Sequence, residues 1–372
     1  MRSREITDDG GEPVTPPQPF VQTVLGPIDP ARLGSTLMHE HLIWDYSTAI
    51  GATPRVESIW PIERIVERVD EAQRYGVQCI VDVTPEQLGP HPLLYALIAQ
   101  RTPVHLVCAT GYYCSDVIPT LGGPRGVYPP DHARIAGQIV ATATHGIGAT
   151  GIKPGIIKVA TSGRAISEVE EAVLRAAASA QQRTGLAITT HTQATRFAET
   201  QVDILEDAGA DLARVVIGHI GWGSGAGDFA LHQRLARRGV TLGLDLVGTP
   251  TRSDSEYIRM ALDLIEAGHA HQLVFSHDNC GWANGFELYD SHLGPEYYSG
   301  DMTHVHRRIL PLLMDEHIAT HTIATILHET PSRLLTIDPC AYPGARDTLL
   351  WTPSNNDPLR LGDAARPSRS HS

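Results

Sequence analysis

Eight short apolar runs, separated by stretches with helical periodicity, constrain the fold of this chain more than any other feature. They are rich in Val, Ile, Leu and Thr, and most lack the alternation of a strand with one face in water. Near-continuous apolar runs are typical of strands covered on both faces, as in parallel sheets. The predicted strands span residues 35–41, 77–84, 104–111, 155–161, 186–192, 214–219, 240–246 and 272–278.

The stretches between these runs carry helix signals. Ser167 is followed three positions later by Glu170, which is a capping-box pattern, and Gly185 predicts where that helix ends. Residues 62–76 and 255–268 show the same periodicity. Strands alternating with helices predict an α/β protein with a single (β/α)8 TIM barrel, and a doubly wound parallel sheet is the alternative.

The chain length fits one barrel with extensions. A (β/α)8 barrel takes about 250 residues or more, and this chain has 372. Residues 1–20 lack the apolar core of a secretory signal and are predicted to be a flexible leader. Residues 21–337 would form the barrel, and 338–372, rich in Pro, Arg and Ser, a peripheral or disordered tail. Residues 279–303 predict a long loop after strand 8 that covers one end of the barrel.

Charge and composition limit which binding partners and which cellular compartment are expected for this protein. The 29 Lys and Arg residues against 42 Asp and Glu residues give a net charge of −13, which argues against nucleic acid as a partner. No segment approaches the roughly 18 apolar residues of a membrane span, so no membrane partner is expected. The five cysteines form no CxxC pair, which favours free thiols in a reducing cytoplasm.

A (β/α)8 barrel carries its chemistry at the carboxyl ends of its strands. The polar residues at the ends of the predicted strands are His39, His41, Lys158, His191, His219 and Asp278. These side chains are therefore expected to meet at one rim. His39 and His41 lie two positions apart on a strand, so both imidazoles face the same side and can reach one metal ion. Taken singly, each residue could also be an ordinary core or rim residue.

Lys158 interrupts an apolar strand, where a bare ammonium is costly to desolvate. Burial is expected to lower its pKa and make the neutral amine available. A neutral amine can react with carbon dioxide to give a carbamate, and the two oxygens of a carbamate can bridge two cations. A buried salt bridge and a Schiff-base lysine are the alternatives that the residues leave open.

The order of an HxH pair, a strand-end Lys, two single His residues and an Asp resembles the phosphotriesterase family of the amidohydrolase superfamily. The resemblance runs from about Val21 to about Leu335 and includes the stretches VQTVLGPI, GSTLMHEH, ATGYY, GIIKVAT, TTHT, IGH, LGLD and SHD. It implies an amidohydrolase-type (β/α)8 barrel that holds two divalent metal ions, usually Zn²⁺, with Co²⁺, Mn²⁺ or Fe²⁺ as alternatives. It also implies a small-molecule substrate and, since many members are homodimers, a possible second copy as partner.

The resemblance assigns roles residue by residue. The more buried metal would be held by His39, His41 and Asp278, and the more exposed one by His191 and His219. Lys158, as an N6-carboxylated side chain, would bridge both metals together with a hydroxide that attacks the substrate. Asp278 would accept the proton of the hydroxide, so Asp278 and Lys158 are the predicted catalytic residues.

The resemblance is weaker around the substrate. In the phosphotriesterases of the family, a His follows the LGLD motif and shuttles protons together with an Asp that stands shortly after the second single His. In many lactonases an Arg occupies the position after LGLD. Here the position is Leu246, and no Asp follows His219 before Asp228. The SHD ending and Tyr113 after ATG are more similar to the lactonase branch. The candidate substrate residues are Tyr113, Trp44, Leu246, Cys280 and Trp282.

These features together predict a hydrolase acting on a lactone, ester or amide carbonyl, most similar to a lactonase. A phosphotriester hydrolase of the aryldialkylphosphatase kind is one alternative. A non-hydrolytic, metal-binding homologue recruited to a biosynthetic step is another. The chain contains no GxSxG sequence, which argues against a serine hydrolase.

Overall fold

The computed structural model describes the barrel and most of its connections. The described residues are 18–45, 62–113, 131–195, 197–223, 228–281, 283–284 and 301–339. Most of the predicted leader and tail lie outside these ranges, as do residues 282 and 285–300 of the long loop predicted after strand 8. The domain bounds 1–20, 21–337 and 338–372 therefore stay predictions.

Eight parallel strands form one barrel-shaped sheet, which confirms the predicted (β/α)8 fold. In chain order they are β1 (Thr36–Glu40), β2 (Cys79–Asp82), β3 (His105–Gly111), β4 (Ile156–Thr161), β5 (Ala187–Thr192), β6 (Val215–Ile217), β7 (Thr241–Leu244) and β8 (Leu273–Phe275). Each strand lies within the span predicted for it. A hydrogen bond of 3.0 Å from Asp278 N to His39 O joins the chain after β8 to β1, so the sheet closes on itself.

Helices connect successive strands on the outside of the sheet. They are α1 (Ile62–Arg74), α2 (Pro92–Ala99), α3 (His132–His145), α4 (Glu168–Thr184), α5 (Ala198–Asp207), α6 (Phe229–Arg237) and α7 (Asp254–Glu266). The predicted capping box is present at the start of α4, where Ser167 and Glu170 bond to each other's backbone N–H, and Gly185 ends the helix at φ 69°. Among the described helices, none is both long and apolar enough to cross a membrane.

The chain after the long connection is helical. A π-helical segment, Val305–Ile309, continues into α8 (Leu310–Asp315). After α9 (Thr320–Ala324), a second π-helical segment, Thr325–Glu329, leads into α10 (Thr330–Leu335).

The barrel strands bury apolar side chains on both faces, which explains their lack of alternation. Leu37 and Ile80 pack in the core between the sheet and the helices, whereas their neighbours Met38 and Val81 pack in a separate core inside the barrel. With both faces apolar, the strands can present polar groups to water only at their ends. The rim at the carboxyl ends is therefore where these polar side chains gather.

The opposite end of the barrel is closed by the two ends of the described chain. Phe20–Thr23 pairs antiparallel with Gly26–Ile28 and with Thr336–Ile337. Arg214, just before β6, donates hydrogen bonds of 2.7–2.8 Å to Gly185 O, Leu334 O and Thr336 O. Because these contacts tie α10 to the bottom of the barrel, the carboxyl-terminal rim stays free to carry a site.

Candidate metal centre

The structure brings all six predicted ligand side chains to the carboxyl-terminal rim. They lie on five of the eight strands or within three residues of a strand end: His39, His41, Lys158, His191, His219 and Asp278. Five of them are buried, and His191 is half-buried. Polar residues at the strand ends of a barrel are expected to converge. This expectation groups residues that are as much as 239 positions apart in the chain.

One half of the cluster is built around β1. Lys158 Nζ lies 2.8 Å from His39 Nε2. Asp278 Oδ1 lies 3.4 Å from the same His39 Nε2 and 3.2 Å from His41 Nε2. The two imidazoles of the HxH pair thus present their Nε2 atoms to one carboxylate oxygen, as the strand geometry predicts.

The other half of the cluster contains the two single histidines. His191 Nδ1 and His219 Nε2 lie 2.8 Å apart, and His219 Nε2 lies 3.9 Å from Asp278 Oδ2. The two oxygens of Asp278 therefore face different halves of the cluster. Within the described part of the chain, one candidate ligand atom each from His39, His219 and Asp278 lie within 4.8 Å of one another.

Burial and neighbouring charge set the protonation of these groups. Burial, with a smaller effect from Lys158, lowers the pKa of His39 to about 4. Burial and the adjacent His219 hold the pKa of His191 well below its usual range. Burial by itself would raise the pKa of Asp278, but His219, His41 and His39 together outweigh it and lower that pKa. Neutral imidazoles beside an ionised carboxylate are the protonation states that a divalent cation requires of its ligands.

Asp245 orients one histidine from each half of the cluster, and the sequence reasoning did not assign it a role. Its Oδ1 accepts hydrogen bonds from His219 N at 2.8 Å and from His219 Nδ1 at 3.0 Å, and its Oδ2 lies 2.8 Å from His39 Nδ1. A carboxylate at Nδ1 keeps the proton there and leaves Nε2 free as a ligand. Asp245 directly follows β7, so the strand-end rule could have found it.

His41 has a different partner. Its Nδ1 lies 2.7 Å from Thr84 Oγ1. The buried Asp82 holds this corner, because it accepts hydrogen bonds from Thr84 N at 2.9 Å and from Leu42 N at 2.6 Å. A hydroxyl rather than a carboxylate therefore orients the second histidine of the HxH pair.

The backbone is strained at two of the six positions. His219 has φ 59° and Asp278 has φ 51°, in the left-handed region that non-glycine residues seldom adopt. Next to His219, a Cβ atom on Gly218 would lie 2.2 Å from Thr190 O and 3.0 Å from Asp245 Oδ2. Glycine at 218 is therefore required mainly by the close approach of the Thr190 backbone oxygen, beside which Asp245 also packs.

Aromatic rings pack against the candidate ligand histidines. Trp44 stacks on His41 with ring centroids 4.6 Å apart, and the ring of Tyr113 lies 5.3 Å from that of His191. Trp222, which the sequence reasoning did not assign, lies 6.1 Å from the His191 ring and 6.0 Å from the His219 ring. It follows His219 by three residues, in a glycine-rich stretch of the sequence.

Two of the remaining substrate candidates are placed less favourably for contact with a ligand. Leu246 and Cys280 are almost fully buried, at 1% and 2% exposure. The backbone of Cys280 pairs with that of His41 in an isolated parallel β-bridge. Trp282 lies outside the described residues. The roles of these three residues in substrate binding stay predictions.

Buried histidines predict an acid-sensitive fold. Burial lowers the pKa of His232 and of His306 to about 4, as it does for His39, from the ordinary value of 6.5. Since the unfolded chain binds more protons between these values, the free energy of unfolding should fall as the pH drops from about 6.5 to about 4. Each such histidine contributes up to about 1.4 kcal/mol per pH unit. Urea denaturation in the presence of a chelator would measure this slope.

The variant His232→Gln provides a control for this prediction because His232 lies on α6 and outside the histidine cluster at the rim. Its slope against pH should be shallower by about one histidine, up to about 1.4 kcal/mol per pH unit. A free energy of unfolding that does not change between pH 6.5 and 4 would contradict the prediction.

Four histidines, a lysine and a carboxylate at the carboxyl-terminal rim of a (β/α)8 barrel are the donor set and the position expected of a metal-dependent hydrolase. The chain belongs to the phosphotriesterase family, whose family model matches residues 19–335. The resemblance in the motifs is thereby confirmed over nearly the whole barrel.

Three known proteins show the extent of the similarity. A phosphotriesterase homology protein of Mycobacterium tuberculosis is 33% identical over 330 residues, which cover 85% of this chain and 97% of the relative. An N-acetyltaurine hydrolase of Dictyostelium discoideum is 30% identical over 295 residues, 74% of each chain. A third match is a solved structure, described as the molecular engineering of organophosphate hydrolysis activity from a weak promiscuous lactonase template. It has a TM-score of 0.75 and 30% identity, and the match covers 85% of this chain and 99% of the other.

Proposed function

We propose that this protein hydrolyses a lactone, ester or amide at a centre with two divalent metal ions. The observation that carries the proposal is the position of Asp278, whose two carboxylate oxygens face the β1 half and the His191–His219 half of the cluster. A single structural cation would need only one of the two halves.

The donor set fits such a centre. His39 and His41 would hold one ion with Asp278, and His191 and His219 would hold the other. Lys158 Nζ lies beside His39 Nε2, and carbon dioxide added to the neutral amine would yield a carbamate and release one proton. Nitrogen and oxygen ligands of this kind suit Zn²⁺, with Co²⁺, Mn²⁺ and Fe²⁺ as alternatives.

When bound, two such ions would supply Lewis-acid polarisation of the substrate carbonyl and a lower pKa for water. Residues of the chain would accept the proton, orient the ligands and shield the centre from water. Asp278 is ionised because the imidazoles lower its pKa, so it can accept the proton of the attacking water. Asp245 keeps His39 and His219 in one orientation throughout. The rings of Trp44, Tyr113 and Trp222 shield the cluster and exclude bulk water from one side.

A carbonyl substrate is favoured over a phosphotriester by two features of this chain. The position after LGLD is Leu246, which is buried and cannot carry protons. Three residues after His219 stands Trp222, whose ring packs on the ligand histidines. The family's phosphotriesterases are expected to use a His and an Asp in these regions. Among the relatives, an amide hydrolase and a lactonase template also support carbonyl chemistry.

The experiment is a comparison of substrates on the zinc-containing protein. We expect kcat/KM for the best lactone, ester or N-acyl amide to exceed that for a paraoxon-type phosphotriester by about 100-fold or more, since the transition states differ in shape and charge. Steady-state kinetics on one protein preparation would measure this ratio. The variant His39→Ala should lose both activities together, which excludes a contaminating esterase. A ratio that favours the phosphotriester would contradict the proposal.

Phosphotriester hydrolysis is the second candidate function. It is supported by the organophosphate activity that was engineered on the lactonase template of similar structure. The same substrate comparison distinguishes it, because a phosphotriesterase would turn over the phosphotriester at least as well as the carbonyl substrates.

A further inference from the structure

Glu40 stands between the two histidines of the HxH pair at the end of β1. Alternation along a strand predicts that its side chain faces away from theirs. Its side chain is fully buried. The carboxylate oxygen Oε1 accepts hydrogen bonds from Ser276 Oγ at 3.1 Å, His277 N at 2.9 Å and His277 Nδ1 at 2.6 Å. The other oxygen, Oε2, accepts one from Asn279 N at 3.0 Å. A carboxylate with this many donors binds them strongly, because charge-assisted hydrogen bonds are short and strong.

The segment held in this way is the one that carries Asp278. Three consecutive N–H groups bond to β1: those of residues 277 and 279 to Glu40, and that of Asp278 to His39 O at 3.0 Å. Asp278 has φ 51°, a conformation that is strained for a residue other than glycine and persists only where the surroundings impose it. The bonds to Glu40 on either side of Asp278 supply that constraint.

The same network reaches the far end of the long connection after β8. His277 Nε2 accepts a hydrogen bond from Val305 N at 3.0 Å, so its Nδ1 carries the proton donated to Glu40. Asn279 Nδ2 donates to Asp301 O at 3.2 Å. The two stems of the connection, residues 276–281 and 301–305, are therefore joined to each other and to β1.

We propose that Glu40 is a positioning residue that sets the ligating geometry of Asp278 and holds both stems of the connection after β8 in place. It acts through Asp278, and its role in metal binding rests on the proposed dinuclear centre. This role explains why a buried carboxylate, which is costly to desolvate, stands between two metal ligands.

The variant Glu40→Gln tests the proposal with almost no change in shape. A glutamine has one acceptor oxygen, and three of the four donors meet Oε1. With its oxygen at that position, the amide NH2 group faces Asn279 N–H, so a donor opposes a donor directly after Asp278. The variant thus breaks the bond next to Asp278 and keeps the other three.

The matched control is Glu170→Gln. Glu170 is also buried, and its carboxylate accepts from Ser162 N at 3.2 Å and from Ser167 N at 2.9 Å. None of these residues belongs to the stems at 276–281 and 301–305. Both variants lose one buried, hydrogen-bonded charge, so a general loss of stability should affect them alike.

Hydrogen exchange on the metal-free proteins is the first measurement. We expect Glu40→Gln to exchange amides about tenfold faster or more in peptides over 276–281 and 301–309, since these segments lose a hydrogen bond to a charged group. Glu170→Gln should leave these peptides unchanged. Equal exchange in the wild type and Glu40→Gln would overturn the proposal, and this test does not depend on metal binding.

Metal binding is the second measurement. We expect Glu40→Gln to bind one of two Zn²⁺ ions about 10- to 100-fold more weakly. The visible absorption of the Co²⁺-substituted protein, which reports coordination geometry, should also change, whereas Glu170→Gln should match the wild type in both. Unchanged affinity and spectrum would overturn the role of Glu40 in ligation. A wild type that binds fewer than two ions would instead refute the proposed function, while the exchange measurement would still decide whether Glu40 holds the stems.

Discussion

Replacing Lys158 by Met should reduce hydrolysis by a factor of about 1,000 or more while the barrel remains folded. Lys158 is 1% exposed, and its Nζ lies 2.8 Å from His39 Nε2. Methionine has a similar length but no nitrogen on which a carbamate could form. An apolar side chain in place of a buried amine need not destabilise the fold. The expected loss therefore concerns the centre and not the stability of the protein.

The control for this prediction follows from the composition of the chain, which contains only two lysines, Lys153 and Lys158. Lys153→Met should keep its metal and its turnover. With ¹³C-labelled carbon dioxide, a carbamate signal is expected in the wild type and in Lys153→Met and should be missing from Lys158→Met. Elemental analysis of bound metal would accompany the kinetics. Retained turnover in Lys158→Met would contradict the proposed centre.

Replacing Asp245 by Asn should weaken the binding of one metal ion by about 100-fold or more. An asparagine that keeps its oxygen toward His219 must turn its NH2 group toward His39 Nδ1. His39 would then accept at Nδ1 and carry its proton on Nε2, the atom that faces Asp278 and Lys158. One half of the centre should lose its ligand, and the metal content should fall from two ions toward one.

Asp82→Asn is the comparison for this variant. Asp82 is also buried directly beside the rim, but its oxygens accept from the backbone N–H groups of Leu42 and Thr84. Its replacement should lower the free energy of unfolding and change the metal affinity much less than Asp245→Asn does. Metal content at controlled free Zn²⁺ and urea denaturation would separate the two effects. Equal losses of metal in both variants would contradict the orienting role of Asp245.

The strand-end rule accounts for what could be predicted of the candidate site. His191 and His219 each lie at the end of an apolar run, and such a residue in a barrel has one rim to occupy. The same rule applies to Asp245, yet no role was assigned to it, because a residue that contacts ligands rather than the metal leaves no ligand spacing in the sequence. Trp222 was missed because a tryptophan in a glycine-rich loop has no periodicity that indicates where its ring packs.

Glu40 and His277 show the limit of sequence reasoning most clearly. Each is adjacent to a candidate ligand residue, and alternation predicts that Glu40 faces away from the candidate ligands. What Glu40 contacts is decided by the closure of the barrel, which brings β1 beside the chain after β8, about 236 residues later. The partner of a buried carboxylate is a long-range property, and no local pattern encodes it.

The amino-acid sequence alone determined the eight buried strands, the helices between them and six candidate metal ligands. It could do so because apolar periodicity and residue chemistry are local properties. Three features were decided by the tertiary structure alone. They are the division of the six candidates into two halves around Asp278, the orientation of one histidine in each half by Asp245, and the anchoring of Asp278 by Glu40. The physical reason is that hydrogen bonds have to be satisfied wherever closure of the sheet buries polar groups, and closure joins residues that the sequence keeps far apart.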